Sequence, residues 1–227
     1  EYFNTNMLLN NDLNIQYVIT LDTDSKFVLN TALNLVGAMA HPLNKAVLNK
    51  KQTKVIHGYG IMQPRCSTDI EDTNKSLYSQ IFAGIGGFDT YSAVVPNVYF
   101  DNFGEGSFVG KGIYDLKVFD TVLYNTFPDN KILSHDLLEG NYLRCAYVDD
   151  IELMDGFPSK FLSDMSRHHR WARGDVQIIG WIFNHIKNKR GDKIKNPISL
   201  IGKYKILDNV VRMFLQPSLL LIILLSI

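Results

Sequence analysis

From Ile15 the chain reads Ile-Gln-Tyr-Val-Ile-Thr-Leu, a short, mostly apolar and β-branched run that predicts a buried strand ending at Asp22-Thr23-Asp24-Ser25. Phe27 to Ala40 then carries apolar residues at helical spacing and stops at His41-Pro42, where proline discourages continuation. Lys54 to Met62 reads as a second strand. Thr68 to Phe82 reads as a helix with Asp69, Glu71 and Asp72 in its first turn, where the macrodipole favours anions, and Gly84-Ile85-Gly86-Gly87 breaks it. An aromatic and β-branched stretch, Tyr91 to Phe100, leads into a glycine-rich loop from Gly104 to Gly112. A short helix is expected from near Asp115, a helix over Leu137 to Cys145, a strand over Ala146 to Leu153, and a long helix over Ser159 to Phe183. Strand, motif and helix in this order predict an α/β fold.

The last residues, Leu219 to Ile227, are almost wholly apolar. They are expected to open a transmembrane helix, although a span needs about 20 apolar residues and a buried core helix or strand reads the same way. The division that follows is a domain over 1–198 and an interfacial segment with the start of a membrane helix over 199–227. Both ends read as cut, with one strand-like run before the first motif and neither an initiator Met nor a signal pattern.

Composition narrows the classes. With 227 residues, 46% of them hydrophobic, the chain can bury a sizeable core. Lys+Arg and Asp+Glu stand at 23 each, which gives no overall electrostatic case for a nucleic-acid partner. Cys66 and Cys145 lack metal-type spacing and fit buried thiols of a reducing compartment.

Four features carry candidate chemistry. Asp22 and Asp24 form a D-x-D pair that places two carboxylates on one side of the chain at a strand end, where α/β ligands bind. Two hard oxygen donors suit Mg²⁺ or Mn²⁺, which also grips diphosphate oxygens; a turn capping a helix that begins near Lys26 is the competing reading. Asp136, beside His135 at a loop-to-helix junction, fits a general base for an acceptor hydroxyl and equally fits an acidic N-cap.

Arg167, Arg170 and Arg173 recur at helical spacing on one broad face, where guanidinium forks suit diphosphate, and Trp171 among them offers a flat surface to a sugar ring. A solvated cationic face, a core tryptophan or a lipid-facing basic patch remain open beside that reading. Adjacent His168 and His169 point about 100° apart on a helix and make a poor chelating pair. In the glycine-rich loop, which has neither Walker A nor G-x-G-x-x-G spacing, Glu105 and Lys111 either hydrogen-bond sugar hydroxyls or face water.

The order Asp22-Thr23-Asp24, His135-Asp136, Arg170-Trp171 and then an apolar segment resembles processive family 2-type glycosyltransferases such as cellulose synthase, with their D-x-D, T/S-E-D and Q-x-x-R-W motifs. The finer wording is similar to the glycosyltransferase domain of cyclic β-1,2-glucan synthases, over nearly the whole chain. It lies in Leu21 to Ser25, Gly104 to Phe108, Lys111 to Asp115, Ser134 to Gly140, and Arg167 to Trp171. His135 in place of Glu and Arg167 in place of Gln depart from the cellulose synthase pattern and agree with the cyclic glucan group.

The resemblance implies a GT-A-like fold, Rossmann-like, with a mostly parallel sheet flanked by helices, truncated at its N-terminus. The first nucleotide-binding strand would precede residue 1, so the uridine pocket is expected to be incomplete and the isolated piece inactive. It also implies an inverting transferase that moves glucose from UDP-glucose to a growing β-glucan, with Mg²⁺ or Mn²⁺ as cofactor. By position, Asp22 and Asp24 would serve metal and donor, Arg167 and Arg170 the donor, Asp136 the base, and Trp171, Glu105 and His135 the acceptor. Membrane lipid and further domains of a longer chain are expected partners, at the bacterial inner membrane with the catalytic domain facing the cytoplasm. A cellulose synthase-type β-glucan synthase is the near alternative. A haloacid dehalogenase-like phosphatase, with Asp22 as nucleophile and Asp149-Asp150 as its later acidic pair, and a non-catalytic glucan-binding or membrane scaffold are the distant ones.

Overall fold

A computed structural model describes residues 14–83, 97–128 and 130–226. The elements in chain order are β1 (Tyr17–Thr20), β2 (Lys26–Phe27), α1 (Thr31–Ala40), β3 (Val47–Leu48), β4 (Val55–His57), β5 (Ile61–Thr68), α2 (Ile70–Thr73), α3 (Leu77–Phe82), α4 (Val98–Phe103) and β6 (Gly112–Asp115). There follow α5 (Leu116–Leu123), α6 (Asp136–Leu143), β7 (Cys145–Asp155), α7 (Phe161–Gln177), a 3₁₀ turn (Ile179–Ile182), β8 (His185–Lys187), β9 (Lys193–Lys195), α8 (Leu200–Met213) and α9 (Leu215–Leu225).

The main sheet has the order β1-β6-β5-β7-β2. It is mixed rather than mostly parallel: β5 and β7 pair in parallel, while β1–β6, β6–β5 and β7–β2 are antiparallel. These pairings make β1, β5 and β7 run one way. β6 inserts between β1 and β5 in the opposite sense, so two pairings that a parallel sheet would contain become antiparallel. One edge therefore gathers the ends of β1, β5 and β7 and the start of β6. Thr20 lies opposite Gly112, and Thr68 opposite Asp155. Such an edge is where open α/β sheets place their ligands.

Several predicted boundaries move. The D-x-D strand is a half-buried edge strand among the described residues, not a buried one. Phe27 is not helical: with Lys26 it pairs against Leu153 and Met154, and the helix starts at Thr31. The Lys54–Met62 strand is two strands, split where Gly58 adopts φ +63° and its Cα abuts the backbone of Lys45, an approach that no side chain allows. Thr68 ends β5, and the expected helix to Phe82 is two short ones, capped by Asp69 and by a Ser76–Ser79 capping box. The long helix ends at Gln177 and tightens into the 3₁₀ turn. The Gly84–Gly87 break and the Tyr91–Phe100 stretch up to 96 lie outside the described residues.

Two apolar clusters flank the sheet. Leu138, Tyr142, Leu143, Ile178, Trp181 and Ile206 pack with Ile61 and Phe108 on one side; Leu35, Met39, Met62 and Ile113 form the other. Each such side chain taken from water stabilises the fold by about 1.5–3 kcal/mol. Cys66 and Cys145 are buried and form no disulfide, and burial pushes the Cys145 thiol up to about 12. α8 buries Gly202, Lys205, Ile206 and Val210 against this body, while α9 exposes its leucines and isoleucines. Together Leu200–Leu225 is the one helix among the described residues long and apolar enough to cross a membrane.

Candidate active site at the sheet edge

After β1 the chain turns at Asp22-Thr23-Asp24-Ser25, with Ser25 N–H donating to Asp22 C=O at 3.1 Å. The turn feeds β2, which docks on the end of β7 and so folds both aspartates over the sheet edge. Ser25 Oγ donates to Asp155 Oδ1 at 2.7 Å. Lys111, at the start of β6, donates to Asp155 Oδ2 at 2.5 Å and lies 3.1 Å from Asp22 Oδ2. Burial works against the Lys111 charge, but Asp155 and Asp22 outweigh it and hold the ammonium above its ordinary value. Lys111 thus neither faces water nor awaits a sugar hydroxyl: it ties the glycine-rich loop to the D-x-D turn and to β7.

Asp136 opens α6, and His135 occupies the N-cap position without a side-chain cap bond. The Asp136 carboxylate accepts from Ser134 Oγ at 3.0 Å. Gly110, at φ +94°, brings the glycine-rich loop against it; a Cβ there would stand 3.2–3.3 Å from all three carboxylate atoms. Burial raises the Asp136 pKa above the usual aspartate range, and the Asp22 charge adds to this, against the lowering effects of Ser134, His135 and Lys111. A carboxylate with raised proton affinity is suited to general-base work near neutral pH.

The third wall is α7. Gly174 lets this helix approach Ser134, where a Cβ would sit 3.3 Å from the serine Cβ, and Gln177 Oε1 accepts from Leu133 N–H at 2.8 Å. Arg167 turns inward, bonded to Asp164 at 2.5 Å with its guanidinium 5.0 Å from the Trp171 ring centre, and it interacts electrostatically with Asp24. Asp24 itself packs beside Gly156, just after Asp155. Arg170 and Arg173 are exposed, so the three arginines do not share one engaged face. Trp171 is 37% exposed with the edge of His168 against it.

The expected residues thus divide. Asp22, Asp24, Asp136 and Arg167 come together, linked by Lys111 and Gly110, and Trp171 stands beside Arg167. Glu105 is committed elsewhere, 3.6 Å from Arg144 Nε. The His135 ring stacks on Phe127 at 5.4 Å. Asp149 and Asp150 are exposed where β7 slips register against β5, with Val148 opposite Pro64 and Glu152 opposite Arg65. Asp155 was not singled out from the sequence; its place directly before Gly156, two residues past the expected strand, is the only local signal.

Among the described residues no group of three or more His, Cys, Asp or Glu side chains is gathered around a metal position. Asp22 and Asp24 are nonetheless exposed hard oxygen donors at the ligand edge of the sheet. That set fits Mg²⁺ or Mn²⁺, since Mg²⁺ is commonly held by one or two carboxylates and completed by water and substrate phosphates.

No protein-family model matches the chain. Over 199 residues, 87% of its length, it is 42% identical to cyclic beta-(1,2)-glucan synthase NdvB of Rhizobium meliloti (strain 1021), and it spans 7% of that protein.

Proposed function

We propose that this cyclic glucan synthase-related domain is an inverting glycosyltransferase unit that moves glucose from UDP-glucose to a growing β-glucan, in cyclic β-1,2-glucan synthesis. The observation that carries the reading is the convergence of Asp22, Asp24, Asp136 and Arg167 on one sheet edge, joined through Lys111 and Gly110. On this reading the fold is a GT-A-like domain whose inserted β6 delivers Lys111.

Asp22 and Asp24 would hold Mg²⁺ or Mn²⁺, which, when bound, neutralises charge on the departing diphosphate. Arg167 supplies a fixed positive fork beside Asp24, and exposed Arg170, on the same helix, would reach the outer phosphate oxygens. Asp136 takes the proton from the acceptor hydroxyl as its oxygen bonds to the sugar C1 and the C1–O bond to UDP breaks. One base acting opposite the leaving group inverts the configuration. Trp171 offers its exposed face to the acceptor, and His135 borders the base. The exposed α9 supports insertion in a lipid bilayer, and we place the site on the cytoplasmic side of a bacterial inner membrane.

The test is the full-length protein with radiolabelled UDP-glucose and Mg²⁺ or Mn²⁺, followed by linkage analysis of the product. A β-1,2-linked polymer is expected. A β-1,4 or β-1,3 product would move the chain to a cellulose synthase-type activity, and phosphate release from a phosphomonoester without any sugar transfer would overturn the reading.

A further inference from the structure

Buried carboxylates elsewhere in this protein have partners: Asp155 holds Lys111 and Ser25, Asp164 holds Arg167 and Tyr78, and Asp69 holds Lys26 and the Glu71 amide. Glu139 is placed differently. It lies one helical turn beyond Asp136 on α6, is partly buried, and its carboxyl makes no hydrogen bond or ion pair among the described residues. The first helical turn favours its charge through the macrodipole, but the side chain caps no backbone N–H. A partly buried carboxyl without a protein partner, at the wall of a cleft, is open to a hydroxyl ligand.

Glu139 faces a cleft of about 490 Å³, whose lining includes Phe119, Tyr124, Phe127, His135 and Lys189. A second cleft of about 430 Å³ shares Pro128 and Lys189 with it and continues to Trp181 and His185. Each volume lies within the range of small-molecule sites. The chemistry of the walls is that of saccharide recognition. Phe127 and His135 are stacked, Tyr124 is exposed, and the Glu139 and Asp120 carboxyls, an ammonium and the Asn130 amide stand among the rings. Apolar sugar faces pack on aromatic rings, while hydroxyls need both donors and acceptors.

We propose that this cleft is the acceptor-side glucan site, entered beside Asp136 at His135, with Glu139 hydrogen-bonding acceptor hydroxyls. The proposal rests on the transferase reading above and adds a location for the chain being extended. Burial, and the neighbouring Asp136 charge, push the Glu139 carboxyl up to about 7. It therefore presents an O–H donor as readily as an acceptor at neutral pH, which suits a hydroxyl ligand that can play either part.

The experiment uses the full-length protein with Glu139→Gln, Glu139→Leu and Tyr124→Ala. Binding of a short β-linked gluco-oligosaccharide is measured directly, and acceptor-independent UDP-glucose hydrolysis is measured separately. Glu139→Leu and Tyr124→Ala are expected to weaken oligosaccharide binding roughly tenfold or more, the loss of a hydrogen bond to a charged group or of a ring platform. Glu139→Gln, which keeps both a donor and an acceptor, is expected to retain more of it. UDP-glucose hydrolysis should stay within about twofold of wild type.

Resistance of this region to proteolysis at neutral pH should rise in Glu139→Leu, since a partly buried carboxyl disfavoured in its charged form is removed. A structural carboxylate would instead lose resistance. Unchanged oligosaccharide affinity in both Glu139→Leu and Tyr124→Ala overturns the cleft assignment. Oligosaccharide binding that depends on Glu139, in a wild type that never turns over UDP-glucose, would keep the cleft and overturn the transferase reading.

Discussion

The Lys111 ammonium lies 2.5 Å from the Asp155 carboxylate, with the two side chains only 12% and 4% exposed. This contact locks the end of the glycine-rich loop to the end of β7, and from there the same lysine reaches Asp22. Lys111→Met leaves Asp155 buried with Ser25 as its one remaining side-chain partner among the described residues. Breaking such a pair from one side is expected to destabilise the region by about 3–5 kcal/mol. Asp155→Asn in the same background should recover much of that loss, because the orphaned charge is gone. Pulse proteolysis of the four combinations gives the coupling energy; simple additivity would dismiss the pair as a structural lock.

Asp136 links catalysis to stability with opposite signs. Its folded pKa is raised, chiefly by burial, so the native state binds this proton more tightly than the unfolded chain does. The Asp136 contribution to stability therefore falls as pH climbs from the ordinary value of 3.8 through the raised native value, and above that it stays unfavourable. Asp136→Asn is expected to abolish glucose transfer, leave UDP-glucose binding largely intact, and increase resistance to proteolysis at neutral pH. The acid limb of the wild-type rate profile should lie above the usual aspartate range. Transfer by the Asn variant at a near wild-type rate would remove Asp136 from the role of base.

Asp24→Ala addresses the donor end of the site. It removes one exposed oxygen donor and the negative neighbour of Arg167, without touching the Lys111–Asp155 lock. UDP affinity in the presence of Mg²⁺ or Mn²⁺ is expected to drop by tenfold or more, with little change in metal-free binding. Isothermal titration with and without the metal distinguishes this from a general loss of fold; equal affinity in both conditions for wild type would mean that the aspartates hold no ion.

Gly110 adopts φ +94°, and a Cβ there would stand 3.2–3.3 Å from the Asp136 carboxylate atoms. Gly110→Ala adds both backbone strain of about 1–3 kcal/mol and a methyl group in tight contact with the base. Transfer should fall at least tenfold while metal-dependent UDP binding, set at Asp22 and Asp24, changes little. A parallel loss of both would show that the loop supports the donor site as a whole.

How much of this was legible beforehand depended on whether a residue's job was local. The short helix expected near Asp115, the helix after His135, and the strand from Ala146 all follow from runs of neighbouring residues, and all form, the strand running from Cys145 to Asp155. Phe27 and Gly58 misled because their conformations are dictated across the fold, by Leu153 in one case and the Lys45 backbone in the other. Sheet direction was hidden for the same reason, since it turns on β6 inserting between β1 and β5. Within the site, Asp22, Asp24 and Asp136 carried recognisable motifs, whereas Asp155 and Glu139 acquire their meaning from burial and from what does or does not face them.

Lys205 shows what such tertiary context adds. It sits on α8, ahead of the exposed apolar α9, yet it is 1% exposed. Its ammonium donates to the carbonyls of Glu105 at 2.8 Å and Gly106 at 2.7 Å, and lies 4.9 Å from the Tyr99 ring centre. The helix that leads to the bilayer on our reading therefore grips the start of the loop whose other end carries Gly110 and Lys111. Lys205→Met fills similar space but leaves the buried Gly106 carbonyl without this donor, at about 1–3 kcal/mol, and the partly buried Glu105 carbonyl as well. Proteolytic cutting within 104–112 should increase and transfer should fall. Wild-type protection of the loop is thus expected to exceed that of Lys205→Met; equal protection of both proteins would leave the loop anchored by its other contacts alone.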